Sequence, residues 1–474
     1  MIFWIIAPVA IFTIIAVMYV YQHRSGVQDL DSFLTARGTL TSLVAMGTIL
    51  ASEMGSWILF SLPEAGTWGG ILAFGGYALA QACGIFIFIW IGPRLRKIFP
   101  RGSTLPEFVY HRFGSQMHLL TLFTTVFYLS VFIAAELTGI ALAINLVSDL
   151  PLGLVALLIG GGTLIYTSYG GIHGTIFTDA IQAAIFIPLM LIALFTTSHN
   201  LGGFPVIIEQ AQRVNPHILS FTHWEGWEFF LTLLIAVIAS NFFNQAYWTR
   251  SYACRDNSTV RRSFFGAGVI MIPLMLMSGF FGIMALTIDK EIIPSSALFE
   301  LVLYATPPWV IVVVIVMLML LVMSTVDTLI NAIVSVITVE MGRRKRELTP
   351  QGLVAKARLI TALICALAVI VSSRGYSVLY LFFLADLVCA AAFVPTLAGL
   401  FVERLSGKAA ALATILGIMA GAILFPDPLF TRGNLLYSFA LALAVPLLLT
   451  IVFNPLGKPF DYGKLSKEAP GLKI

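Results

Sequence analysis

The Lys and Arg residues of this chain fall on alternate gaps of a ladder of about thirteen apolar segments, and that alternation dictates a protein threaded repeatedly through a membrane. The segments run roughly 3–21, 40–62, 71–92, 118–147, 151–168, 175–197, 228–249, 263–287, 309–339, 359–373, 377–402, 409–425 and 435–454. At ~1.5 Å per helical residue, most are long enough for a ~30 Å hydrocarbon core. Clusters such as Arg94-Leu95-Arg96-Lys97, Arg261-Arg262 and Arg343-Arg344-Lys345-Arg346 follow odd-numbered segments. Of 27 Lys and Arg, only Arg213, Lys290, Arg374 and Arg432 lie on the other side. The basic side reads as cytoplasmic, which puts the N-terminus outside, the C-terminus inside, and requires an odd number of spans.

A soluble helical protein is excluded by composition. With 59% hydrophobic and 11% charged residues, there is too little polar surface to cover 474 residues, and the segments are apolar all round rather than striped. The net charge of +4 is accounted for by the loops and implies no nucleic-acid partner. The first segment lacks a preceding basic residue and a small-residue cleavage site, so it reads as a retained helix. Cys83, Cys365 and Cys389 lie inside spans and Cys254 in a basic loop, as packing residues. The seven His residues show no metal-ligand spacing. No linker separates domains, so residues 1–474 read as one membrane domain, with short outer-surface helices near Phe204–Ile208 and Ala297–Leu303.

Polar residues inside the spans locate the chemistry, because such groups are costly at membrane depth and face pathways. The second span contains Thr48-Ile49-Leu50-Ala51-Ser52-Glu53-Met54-Gly55-Ser56-Trp57, a poor continuous helix. Unwinding it would free carbonyls for a cation and aim half-helix ends at a solute; a small face packed on a neighbour is the plainer alternative. The ninth contains Ser324-Thr325-Val326-Asp327-Thr328, where adjacent hydroxyls suit Na⁺, although Ser and Thr in such helices often bond to their own backbone. The seventh ends Ser240-Asn241-Phe242-Phe243-Asn244-Gln245-Ala246-Tyr247-Trp248-Thr249-Arg250, either amides and aromatics for a polar solute or an interfacial belt anchored by Arg250. Glu136 and Asp386 have no Lys or Arg within their own spans. Each either binds an ammonium or amide of a solute, or is a protonated or hydrogen-bonded structural group.

These residues resemble the sodium/solute symporter family, which includes bacterial proline, pantothenate and sialic-acid carriers and animal sodium–glucose carriers. Five motifs in one order carry the resemblance across nearly the whole chain. They are Ala51-Ser52-Glu53-Met54; Thr104-Leu105-Pro106-Glu107-Phe108 with His111-Arg112-Phe113-Gly114-Ser115; Tyr166 to Thr175 with Thr178-Asp179 and Gln182; Asn244-Gln245 with Arg250; and Ser324-Thr325-Val326-Asp327. The Gly170-Gly171 pair inside the third reads as a tight turn.

The resemblance implies an all-α integral membrane fold of about thirteen helices. Ten form a leucine-transporter-type core of two inverted five-helix repeats, about 40–200 and 228–402, with one extra helix before and two after. Carried over by position, a sodium site uses the carbonyls of Ala51, Met54 and Leu321 and the hydroxyls of Ser324 and Thr325, with Asp179 in binding or release. Asn244 and Tyr247 match solute-contacting or solute-covering positions, and Glu53 and Ser56 join them at the break. Two departures stand out: Glu53 is Asp in the proline carriers, and Leu321 replaces a smaller residue.

The expected function is therefore a sodium-coupled symporter of the plasma or inner membrane, importing a small polar organic solute such as an amino acid. Na⁺ is its coupling ion, no organic cofactor is implied, and its surroundings are the lipid bilayer. Proton coupling through Asp179, Glu136 or Glu53 is the alternative on the same fold. A carrier-like sensor lacks support, since no long signalling region follows residue 454, and an enzyme lacks a nucleophile–base pair or metal-ligand motif.

Overall fold

A computed structural model describes residues 30–288, 291–344, 349–428 and 430–468, together with Ile14 and Met18. The expected first span, 3–21, lies almost wholly outside the described residues. The others form α1 (Leu30–Thr35), α2 (Ser42–Glu53), α3 (Trp57–Trp68), α4 (Gly70–Phe86), α5 (Phe88–Ile98), α6 (Leu105–Phe113), α7 (Ser115–Ser148), α8 (Leu152–Asn200), α9 (Phe204–Val214) and α10 (Trp224–Phe243). There follow α11 (Gln245–Ala253), α12 (Asn257–Ala285), α13 (Ala297–Ala305), α14 (Pro308–Arg344), α15 (Pro350–Ser372), α16 (Val378–Phe401), α17 (Gly407–Ile423), α18 (Leu435–Phe453) and α19 (Tyr462–Glu468). Among the described residues, eight helices are long and apolar enough to cross a bilayer, or ten if each of two sharply bent pairs is one span.

Several helix starts follow from local chemistry. Thr104, Asp256, Thr349, Ser406 and Asn434 each accept a hydrogen bond from an amide three residues on, so side-chain caps replace partners that the first turn lacks. The short helices expected at 204–208 and 297–303 are α9 and α13, but α13 is a correction as to place: Ala297 to Val302 are buried against neighbouring helices rather than lying on a surface. The Gly170-Gly171 turn is a correction: helical backbone runs through both residues, because i→i−4 bonding needs no side chain and tolerates glycine. At the ends of α8, Leu152 lies against Gly375 and Asn200 donates to the Ala305 carbonyl at 3.2 Å; its apolar stretches are 152–165 and 184–200.

Two elements are broken at mid-length. Helices α2 and α3 meet at 62° across Met54-Gly55-Ser56, and α10 gives way to α11 at Asn244. Backbone pairing ties the broken elements near the basic face: the Leu40 amide donates to Ala253 O (2.9 Å) and the Arg255 amide to Leu40 O (3.0 Å). Helix α4 packs on both broken elements and α12 on the first, while α7, α8, α14 and α15 pack together. The approach of α3 to α12 is backbone to backbone, since a Cβ on Gly282 would lie 2.1 Å from Pro63 O and one on Gly66 2.3 Å from Gly279 O.

Candidate cation and solute site

The first break exposes backbone oxygens where a helix would normally consume them. Ala51 and Met54 sit at the C-terminal end of α2, the negative end of a half-helix, and the sequence places two hydroxyls of α14 opposite. The Thr325 hydroxyl donates to Met54 O at 3.1 Å. The Ser324 hydroxyl donates to Asp179 Oδ1 at 2.7 Å and lies 3.4 Å from Ala51 O. Leu321 is buried one turn earlier on α14. Five of the six expected cation-site residues, Ala51, Met54, Ser324, Thr325 and Asp179, thus converge through direct contacts. Neutral oxygens beside one carboxylate make a donor set suited to a hard monovalent cation.

On the basic-face side of this cluster, Asp179 is held from three directions. Thr48 donates to its Oδ2 at 2.7 Å, and Arg250 Nη2 approaches the same oxygen at 3.2 Å while also bonding Thr48 and Thr328. Arg250 is 3% exposed and Trp248 is fully buried, so neither belongs to an interfacial belt. The Arg250–Asp179 pair links α11 to α8, joining a broken helix to the neighbouring scaffold. Removing one partner of such a buried pair leaves an uncompensated charge, which costs about 3–5 kcal/mol.

The second break brings Asn244 to Glu53. The Asn244 Oδ1 caps α11 by accepting from the Ala246 amide (3.0 Å), while its Nδ2 donates to Glu53 Oε1 at 2.5 Å. Gln81 donates to the other Glu53 oxygen at 3.0 Å. Tyr247 is fully buried, edge-on to Phe88 and Phe264 with centroids 5.1 and 5.6 Å away, and its hydroxyl faces Glu53. Glu136 of α7 reaches the start of α3, accepting from the Ser56 amide at 2.6 Å, with its second oxygen free of partners. Gly55 is required there, because a Cβ would lie 2.1 Å from Glu136 Oε1. The Ser56 hydroxyl is unpaired and packs beside Gly139. Asp386 on α16 stands beside Ser240, with one oxygen unpaired. Tyr77 is stacked on Trp57 with ring centroids 5.3 Å apart. The structure therefore joins Glu53 to Asn244 and Ser56 to Glu136 at the two breaks, with Tyr247 beside Glu53, while Asp386 stands beside Ser240. Sequence reasoning missed Gln81, a lone amide in an apolar run, and the engagement of Arg250 by Asp179.

A bundle of apolar helices with two broken members, an oxygen cluster at one break and polar groups at both, defines a membrane carrier of the leucine-transporter fold. The sodium:solute symporter family model matches residues 33–417, and the chain belongs to that family. A sodium/proline symporter of Haemophilus influenzae is 27% identical over 83% of this chain and 82% of its own length. A spermidine transporter of Candida albicans is 24% identical over 78% of this chain and 69% of its own. Among solved structures, a Na⁺-coupled sialic acid symporter in a substrate-bound outward-open state matches with TM-score 0.78 at 17% identity, covering 97% of this chain and 98% of that one. Mhp1, a nucleobase-cation-symport-1 family transporter in a closed conformation with bromovinylhydantoin, matches with TM-score 0.56 at 13% identity, covering 91% and 97%. The protein is a multi-pass, Na⁺-coupled symporter rather than an enzyme.

Proposed function

We propose that this chain imports a small organic solute into the cell with Na⁺, as one membrane domain with repeats at about 40–200 and 228–402. The observation that carries this reading is the convergence of Ala51 and Met54 carbonyls with Ser324, Thr325 and Asp179 at a helix break. Na⁺ is held by the Ala51, Met54 and Leu321 carbonyls and the two hydroxyls, with Asp179 beside them. The ion would bridge α2 to α14 and favour the arrangement in which Glu53, Ser56, Asn244, Tyr247, Glu136 and Asp386 surround the solute. Coupling then requires that Na⁺ bind this arrangement more tightly than the inward-open one. Inward opening must break Arg250–Asp179, which frees Asp179 to help draw the ion out. The basic face is cytoplasmic, the N-terminus is outside and the membrane is the plasma or inner membrane.

Of the similar proteins named above, one is a sodium/proline symporter, one a spermidine transporter and one a sialic acid symporter. Purified protein in liposomes tests the reading directly. An inward Na⁺ gradient should drive uptake of a solute found by thermal-shift screening with and without Na⁺. Uptake driven by a pH gradient and indifferent to Na⁺ would replace this reading with proton coupling.

A further inference from the structure

Trp90 is 66% exposed one helical turn before Arg94, where an aromatic ring at the start of a basic run marks the level of lipid headgroups. Beside it the surface opens into a cavity of about 680 Å³, walled by Trp90, Arg94, Arg96 and Lys97 of α5 and by Asn257 and Arg261 of α12. No Asp or Glu lines it. Asn257 is the first residue of α12, so the positive end of a 29-residue helix adds to the cationic wall. The neighbouring acid, Asp256, is engaged in capping α12, accepting from the Thr259 amide at 2.7 Å.

The cations of this wall are not neutralised from within the protein. Arg94 donates to the Leu400 carbonyl at 3.0 Å and lies over the Tyr462 ring. Arg96 donates through Nη1 to the carbonyls of Ser251, Tyr252 and Cys254 at 2.9, 3.1 and 2.7 Å. Backbone carbonyls orient a guanidinium without cancelling its charge. Lys97 and Arg261 are exposed, and none of the four pairs with a carboxylate among the described residues. A cavity so charged is the complement of a phosphate.

The same helices supply an apolar track leading away from the cavity. Helices α4 and α5 continue as one span, Gly70–Ile98, on which Leu79, Cys83, Phe86, Trp90 and Lys97 recur at helical spacing along one face. On α12, Arg261, Phe265 and Val269 recur in the same way. Phe86 stacks on Phe265 with centroids 5.8 Å apart, so the two stripes lie side by side. Leu79, Phe265 and Val269 are exposed, and Leu79 lies about 16 Å along the span from Trp90, close to half of a ~30 Å hydrocarbon core. Cations at headgroup level that lead into an apolar track one leaflet deep fit a ligand with an anionic head and a hydrocarbon chain. A soluble anion would use only the first part.

We infer that this cavity binds an anionic phospholipid of the leaflet on the basic face. Its phosphate sits at Lys97 and Arg261 beside Arg96, and an acyl chain runs along Phe86, Phe265 and Leu79. The inference needs the bilayer but neither the coupling ion nor the solute.

The test titrates purified full-length protein in a neutral detergent with three probes, read by thermal shift. They are phosphatidylglycerol, phosphatidylcholine with the same acyl chains, and glycerophosphoglycerol, which is the first headgroup without its chains. Phosphatidylglycerol should raise the melting temperature saturably, phosphatidylcholine little, and glycerophosphoglycerol not at all. Lys97→Gln combined with Arg261→Gln should weaken the phosphatidylglycerol response about tenfold or more. Arg96 is left intact, because it closes the C-terminal end of α11. Arg262→Gln combined with Lys408→Gln removes the same charge from exposed positions outside the cavity, and should respond as the wild type does. Wild-type melting of both double variants in detergent alone reports that the fold is intact. Equal stabilisation by the two lipids overturns the inference, and so does equal weakening in the two double variants, which would mark a diffuse surface charge. Stabilisation by glycerophosphoglycerol matching that of the whole lipid would make this a site for a soluble phosphate ester and overturn it as well.

Discussion

Replacing both Ser324 and Thr325 by Ala removes the two side-chain oxygens of the proposed five-oxygen sodium site. Contacts of a hydroxyl with a full charge contribute about 1.5–3 kcal/mol each, which sets a gross loss of about 3–6 kcal/mol. Part of this is offset, because the same hydroxyls are bonded without the ion. Ser324 donates to Asp179 at 2.7 Å and Thr325 to Met54 O at 3.1 Å, and losing each raises the ion-free state by about 1 kcal/mol. The remainder is about 1–4 kcal/mol, a range whose middle lies above the ~1.4 kcal/mol that corresponds to a tenfold rise in the Na⁺ needed for half-activation. Sodium titrations by thermal shift and initial uptake rates in liposomes measure it. Solute affinity at saturating Na⁺ should fall less, since neither hydroxyl touches Glu53 or Asn244. A double variant with wild-type Na⁺ dependence would refute the assignment, because three carbonyls alone would then suffice.

Other expected outcomes follow from the same geometry. Asn244→Ala and Tyr247→Ala should raise the solute concentration for half-maximal uptake and leave Na⁺ binding near normal; equal losses of both would make them structural instead. Glu107 accepts from the Ser103 amide at 2.8 Å, yet burial pushes its carboxyl up from 4.5 to about 7. The folded state therefore holds this proton more tightly than the unfolded one, so stability falls as pH rises from about 4.5 to about 7 and then levels. Glu107→Gln should flatten that slope in melting scans, and an unchanged slope would show that another group sets it. Gly282→Ala should cost about 3 kcal/mol because its Cβ meets backbone at 2.1 Å, whereas Gly75→Ala, with its nearest atom 4.0 Å away, should be neutral or stabilising. A cysteine near Arg344 should react with impermeant reagents only from the cytoplasm, and one near His223 only from outside; labelling from one common side would break the topology.

How much of this was legible beforehand depended on whether a signal was local. The first break could be read because glutamate, glycine and serine interrupt an apolar run, and helix continuity is a property of neighbours in sequence. The cation cluster came from motif order, and the structure brings its side chains to bonding distance. Arg250 and Asp179 are 71 residues apart, and nothing in either segment says which helices face. Beside a basic loop, Arg250 carried the signature of an interfacial anchor, and only packing shows it buried. Gly170 and Gly171 misled in the other direction, since glycine permits a turn without requiring one.

The interlock of α3 with α12 sets the mechanics of the molecule. Pro63 and Gly66 meet Gly279 and Gly282 with no side chain between them, and Ser278 donates to the Ile58 carbonyl. Below the break, contact between α2 and α12 is softer: at Gly266 the neighbour is the flexible thioether of Met46. The outer half of the broken helix is therefore bolted to α12 and moves as part of a stiff plate, while the inner half is hung from Met54-Gly55-Ser56 on a cushioned bearing. Opening outward displaces the plate as a unit. Opening inward needs only the lower arm to swing, so the two gates of the path differ in stiffness and can be loosened separately by mutation.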